Sequence, residues 1–139
     1  MDMSAINFLA VLVAALVGFV VGFPWYGPVF GKAWMAETGI TEEQAAKGNM
    51  PLIFGSSFVF QLIMSFCLAM FFYGDPAAAE MINAGNGAFY GFLTGFGWVT
   101  MAIGVNALFE QKSFKYIAIN GGYWIVVFTI MGAILGAWK

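Results

Sequence analysis

Charged positions along this chain fall in clusters, and four long stretches between them carry none: about 5–30, 51–73, 87–109 and 116–138. Each is apolar over at least the ~20 residues a helix needs to cross a bilayer's hydrocarbon core. The pattern predicts four membrane-spanning helices in one domain covering 1–139, an all-α integral membrane four-helix bundle. Pro24 and Pro28 interrupt the first stretch and predict a kink near Pro24. Residues 24–34, "PWYGPVFGKAW", either continue that helix or turn along the membrane interface, with Trp25, Tyr26 and Trp34 as headgroup-level anchors.

The polar segments carry capping signals. Thr41 with Gln44 three residues on is a capping-box pattern, which predicts a short helix over 42–47 closed by Gly48. Asn49 and Pro51 suit the start of the second span. Asp75 followed by Pro76 opens a second short helix over 76–83, with "GNG" at 85–87 as its end.

Composition turns this pattern into an environment. Hydrophobic residues make up 62% of the chain and mean hydropathy is +0.87, so the solvent for most of the surface is lipid. Five Lys and seven Asp or Glu give a net charge of −2, and no two Lys lie closer than Lys112 and Lys115. That excludes the clustered basic patch on which nucleic-acid binding depends. Lone Cys67 sits inside an apolar run and is expected to be a small buried hydrophobe. The first stretch reads as a retained span: Met1–Ser4 holds no Lys or Arg, and "GFPWYGP" replaces a clean small-x-small cleavage site. Lys32, Lys47, Lys112 and Lys115 fall on one side of a four-span topology and Lys139 on the other. By the positive-inside rule both termini are then non-cytoplasmic, in what we expect to be a bacterial inner membrane.

Small residues recur every fourth position within the spans. "GFVVGFPW" at 18–25 and "GFLTGFGW" at 91–98 share Gly, Phe, Gly, Phe and Trp at corresponding places. The stripe extends to Ala10, Ala14, Gly18 and Gly22 in span one and to Gly87, Gly91 and Gly95 in span three. Ser57, Gln61, Ser65 and Ala69 make a related stripe in span two, and Gly132 with Gly136, or Ala133 with Ala137, in span four. Small-xxx-small faces let membrane helices approach closely where lipid offers no hydrophobic drive for association. The octets are read first as a packing device. A parallel two-helix duplication about an axis along the membrane normal and coincidence in a Gly- and Phe-rich chain both stay open.

Several of these segments resemble a known family. "NFLAVLVAALVGFVVGFPWYGPVFGKAWM", "ITEEQ" and "NALFEQKSFKYIAINGGYWIVVFTIMGAILGAW" resemble small bacterial four-span membrane proteins catalogued as a domain of unknown function. The resemblance implies four spans in one domain and brings no activity with it.

Chemistry is sparse. The chain has no His, and every carboxylate lies outside the spans. No Cys–His pair, nucleophile elbow or metal-ligand spacing appears, so no catalytic residue, cofactor or metal is assigned and the chain is read as not an enzyme. In size and span number it is similar to the small multidrug exporters, but it lacks the intramembrane carboxylate that couples such a pump to protons. The best polar constellation is Asn106 and Glu110 on the face of Thr94, Trp98 and Ala102, with Asn120, Tyr123 and Trp124 opposite. It is either a small site for a lipid head group or polar ligand, or a set of interhelical bonds fixing a turn. The expected role is packing and interaction, as a self-associating protein (homo-oligomer) or accessory subunit among other membrane subunits, in contact with membrane lipid. An uncoupled small-molecule or lipid transporter or channel with an uncharged pathway is the alternative.

Overall fold

The protein, seen in a computed structural model, is described over residues 3–139. Met1 and Asp2, part of the segment weighed above as a leader, lie outside the described residues. After a 3-10 turn at Met3–Ala5, α1 (Phe8–Pro24) begins at Asn7, whose Oδ1 accepts from the backbone N–H of Leu9 and Ala10. A π turn at Trp25–Val29 prolongs the helix into α2 (Gly31–Thr38). Proline explains the widening: Pro28 has no N–H to give to the residue four back, and the Phe30 N–H reaches the Trp25 carbonyl five back at 2.8 Å. The chain therefore keeps its helical course through Pro24 and breaks only at Phe30, where φ is −120°.

Short α3 (Glu42–Ala46) carries the reciprocal Thr41–Gln44 capping box. Asn49 caps α4 (Met50–Tyr73), and Asp75 caps α5 (Pro76–Met81). The "GNG" stretch does not end α5 as the sequence reading expects. Asn83 and Asn86 cap each other's backbone N–H groups, and that box starts α6 (Ala84–Thr94) with Gly85 and Gly87 inside it. A second π turn at Gly95–Thr100 leads into α7 (Met101–Phe109). Gln111 takes a left-handed conformation (φ 60°) in the tight turn to α8 (Phe114–Ala137), which Ser113 caps.

Four helical runs are long and apolar enough to cross a membrane: Phe8–Val29, Met50–Tyr73, Ala84–Phe109 and Phe114–Ala137. The protein is a four-helix membrane bundle, and α8 is its axis. α6 and the second π turn lie antiparallel along one side of α8, α1 along another, and α4 packs mainly on α1. Met131, Leu135 and Val127 of α8 and Ala14 and Ala15 of α1 are at most 1% exposed, so the core follows these two helices.

Small residues set the approach. A Cβ on Gly87 would lie 2.4 Å from the Gly132 carbonyl oxygen, and one on Gly132 would lie 2.1 Å from that of Gly87. Gly91 and Gly95 meet the backbone of Phe128 and Trp124 in the same way, and Gly136 meets that of Asn83. On α1, Ala10, Ala14 and Gly18 are buried. Gly18 faces Gln61 of α4, where Gln61, Ser65 and Ala69 are buried while Ser57 is half-buried. The Ser65 hydroxyl donates to the Val11 carbonyl at 2.8 Å, and the Tyr123 hydroxyl to that of Gly18 at 2.6 Å. Gly22 rests on the Tyr123 ring, and Ala133 and Ala137 turn away from the α6 contact.

Candidate functional site

Because α4 leans on α1 and α6 on α8, the two outer helices do not close on each other. Between them lies a groove of about 770 Å³, floored by Phe128 of α8 and closed at one end by Ala78, Met81 and Ile82 from α5 and the residue after it. α4 supplies Ile63, Met64, Cys67, Leu68, Phe71 and Phe72; the facing wall is Asn86, Tyr90, Leu93, Thr94 and Trp98. The Phe72 and Tyr90 rings, 6.3 Å apart, bridge the walls. Few polar groups line it: the Thr94 hydroxyl donates to the Tyr90 carbonyl and the Asn86 amide to that of Met81, beside the Tyr90 hydroxyl, the Trp98 indole N–H and the Cys67 thiol. Trp98 is 79% exposed and Phe71 82%, so the groove opens sideways, toward what would be lipid.

Cys67 is one of the groove residues and not the buried hydrophobe expected of it. The buried face of α4 follows Gln61, Ser65, Leu68, Ala69 and Phe72, and Cys67 falls beside that line.

A second cavity of about 510 Å³ lies at the opposite end of the bundle, among α2, α7 and the start of α8. Trp34, Thr38 and Ile40 form one wall, Ile103 another, and Tyr116, Asn120 and Trp124 climb α8 at four-residue spacing, with Lys112 beside them. The elbow after α1 is fastened here. Trp25 Nε1 donates to the Ile119 carbonyl at 3.0 Å, and the Tyr26 hydroxyl donates to Asn120 Oδ1 at 2.6 Å. Trp34 meets the Tyr26 ring edge-on at 5.7 Å. Trp25 and Tyr26, read from sequence as headgroup anchors, thus turn inward onto α8, while Trp34 lines the cavity.

The polar constellation read from the sequence is divided. Asn120 and Trp124 line this cavity, but Tyr123 points to α1, and Asn106 and Glu110 lie exposed outside it. Thr94 and Trp98 belong to the groove, while Asn106 and Glu110, past the second π turn, are exposed. Ile103 takes their place toward α8. Lys112 and Tyr116 could have been found from sequence, since Lys112, Tyr116, Asn120 and Trp124 repeat at intervals of four. The groove could not, because Ile63, Cys67 and Phe71 read like any lipid-facing stripe.

The Trp124 and Phe128 rings, 6.0 Å apart, stand between the two cavities, one lining each. No curated protein and no solved structure matches the chain. Residues 9–136, nearly its whole length, match a family profile, and the chain belongs to the family described as a protein of unknown function, DUF1761.

Proposed function

We propose that the protein binds the hydrocarbon part of a membrane lipid, or a molecule of similar apolarity, in the groove between α4 and α6. The groove itself carries the reading: it is concave, apolar and open to the side. In water such a surface would call for a protein partner. In a bilayer, lipid tails are as apolar as leucine, so apolarity alone gives a partner helix no advantage over an acyl chain. A narrow cleft is filled by the chains already around it. The reading belongs to the lipid-handling class, without catalysis and without proton coupling, and the lysine distribution supports a cytoplasmic position for α2, α3 and the α7–α8 turn in a bacterial inner membrane.

A second reading, association with another copy or with a larger complex, has its own support. A Cβ on Gly55 or Gly97 would meet nothing within 4 Å, so small residues of the kind that seat membrane helices also face outward.

The test uses a phospholipid with a photoreactive diazirine in mid-chain, in nanodiscs holding the full chain. Labelling is expected to concentrate on Ile63, Phe71 and Trp98 over the outward Phe8 and Leu9. It should fall when Cys67, the chain's one cysteine, carries a bulky maleimide. Labelling spread evenly over groove and outer faces, unchanged by the maleimide, sinks the reading. Native mass in mild detergent tests the second: multiples of 15.0 kDa, or migration with a larger assembly, would move association to the front.

A further inference from the structure

Whatever fills the groove, the cavity at the other end has a different character, and its unused hydrogen-bond donors say what it takes. Asn120 has its oxygen occupied: the Tyr26 hydroxyl donates to Oδ1 at 2.6 Å, which orients the carboxamide. The amide Nδ2 keeps both its hydrogens, with no acceptor among the described residues. Lys112 is the second donor. Its ammonium stands 5.9 Å from the centre of the Tyr116 ring, and among the described residues no carboxylate pairs with it. Glu37, on the neighbouring α2, instead accepts the hydroxyl of Ser113. One amide and one ammonium therefore face a cavity with nothing of their own to bond.

Around them stand three aromatic rings, Trp34, Tyr116 and Trp124, with Thr38, Ile40 and Ile103. Such rings suit a ligand that is apolar over part of its length and polar at one end. A cationic ligand is disfavoured by Lys112, and a purely apolar one would leave both donors unsatisfied. We infer that this cavity binds the phosphate of an anionic amphiphile, with Lys112 and Asn120 as its donors and the three aromatic side chains packed around the part that follows. Ammonium–phosphate bonds are charge-assisted and about twice as strong as neutral ones, so Lys112 contributes the larger share. The inference does not depend on what occupies the groove, because Trp124 and Phe128 stand between the two.

The experiment titrates the detergent-solubilised full chain with three probes: dioctanoyl phosphatidic acid, dioctanoyl phosphatidylcholine and inorganic phosphate. Tryptophan emission and native mass spectrometry follow binding. Phosphatidic acid is expected to bind. Lys112→Gln should weaken it roughly ten-fold, the scale of one hydrogen bond to a charged group, and Lys112→Arg should restore most of the loss. Asn120→Asp keeps an oxygen for Tyr26 but puts a negative charge in place of the donors, and should weaken binding at least as much. Unchanged melting of Lys112→Gln would show that the loss is not unfolding. Binding of phosphatidic acid with inorganic phosphate silent identifies a lipid head group, and binding of both identifies a phosphate site that free anion also enters. Equal binding of phosphatidic acid and phosphatidylcholine, or indifference to Lys112→Gln, overturns the assignment.

Discussion

Gly18 and Gly91 hold the same place in the two octets, and a Cβ on either would collide, but with different things. On Gly91 it would lie 2.0 Å from the Phe128 carbonyl oxygen, with the Phe128 carbonyl carbon and Thr129 Cα close behind. On Gly18 it would lie 1.7 Å from Gln61 Oε1, the end of a side chain. One glycine lets two backbones touch; the other makes room for a polar side chain inside the membrane. The tryptophans closing the octets diverge as well: Trp25 donates to Ile119 across the bundle, while Trp98 stands exposed at the groove. A stripe of small residues specifies that something comes close. It does not specify what.

The contrast is broken most severely at Gly91. Gly91→Ala must push α6 off α8, because a carbonyl cannot rotate out of the way as a side chain can. We expect a loss of about 3 kcal/mol, at the upper end of overpacking costs, read as a large drop in melting temperature in detergent. Truncating the neighbour, in Gly91→Ala with Phe128→Ala, should not recover it, since the collision is with backbone. Gly55→Ala serves as control: nothing lies within 4 Å there, and removing a helix-interior glycine should be neutral or mildly stabilising. Equal damage at Gly55 and Gly91 would show that the α6–α8 contact is not the cause.

Gly18→Ala should cost less, about 1 kcal/mol, because Gln61 can move. Its carboxamide must still go somewhere, and its position is poor already: Gln61 is 5% exposed and its Oε1 has no hydrogen-bond partner. Gln61→Met removes that unmet acceptor at similar length and should be near neutral. Placed in the Gly18→Ala background, Gln61→Ala should recover part of the loss. A double-mutant cycle therefore separates the octets: favourable coupling at 18–61, none between Gly91 and the Phe128 side chain. Additivity at 18–61 would mean that the glycine there is not making room for the glutamine.

What could be read from the sequence follows from the same distinction. Uncharged length gave the four spans, and local hydrogen-bonding chemistry gave the caps at Thr41, Asn49 and Asp75, because those signals act within a few residues. Faces were readable up to the first break in the helical period. Beyond the second π turn a face extrapolated at four-residue steps from Thr94 arrives at Asn106 and Glu110, which the structure leaves exposed while Ile103 lines the cavity. Pro28 announces the first π turn by lacking an N–H, but "GFGWVT" holds no proline to announce the second. Its mark is Thr100, whose hydroxyl oxygen lies 2.7 Å from the Gly95 carbonyl oxygen and 3.1 Å from that of Gly121 on α8. A threonine in a membrane helix is too common a residue to give that away. The groove is harder still, since it exists only because α4 and α6 each prefer another helix.

The smallest effects belong to the hydroxyls that tie α1 to its neighbours. Ser65 and Tyr123 donate to the carbonyls of Val11 and Gly18, two turns apart on one helix, from α4 and α8 respectively. Both carbonyls lie within α1, where a backbone N–H one turn on is available to them, so removing a hydroxyl leaves no orphaned acceptor. Interhelical bonds of this kind average ~0.6 kcal/mol in a membrane, and Ser65→Ala and Tyr123→Phe should each cost about that much. Being on different helices with no shared partner, they should add. The α6–α8 contact, held by backbone proximity, should not register either change, so hydrogen exchange in α6 should stay as in the parent while exchange along α1 rises. Faster exchange in α6 from either substitution would mean that the two halves of the bundle are coupled through α8, and that the difference between the octets is one of chemistry but not of mechanics.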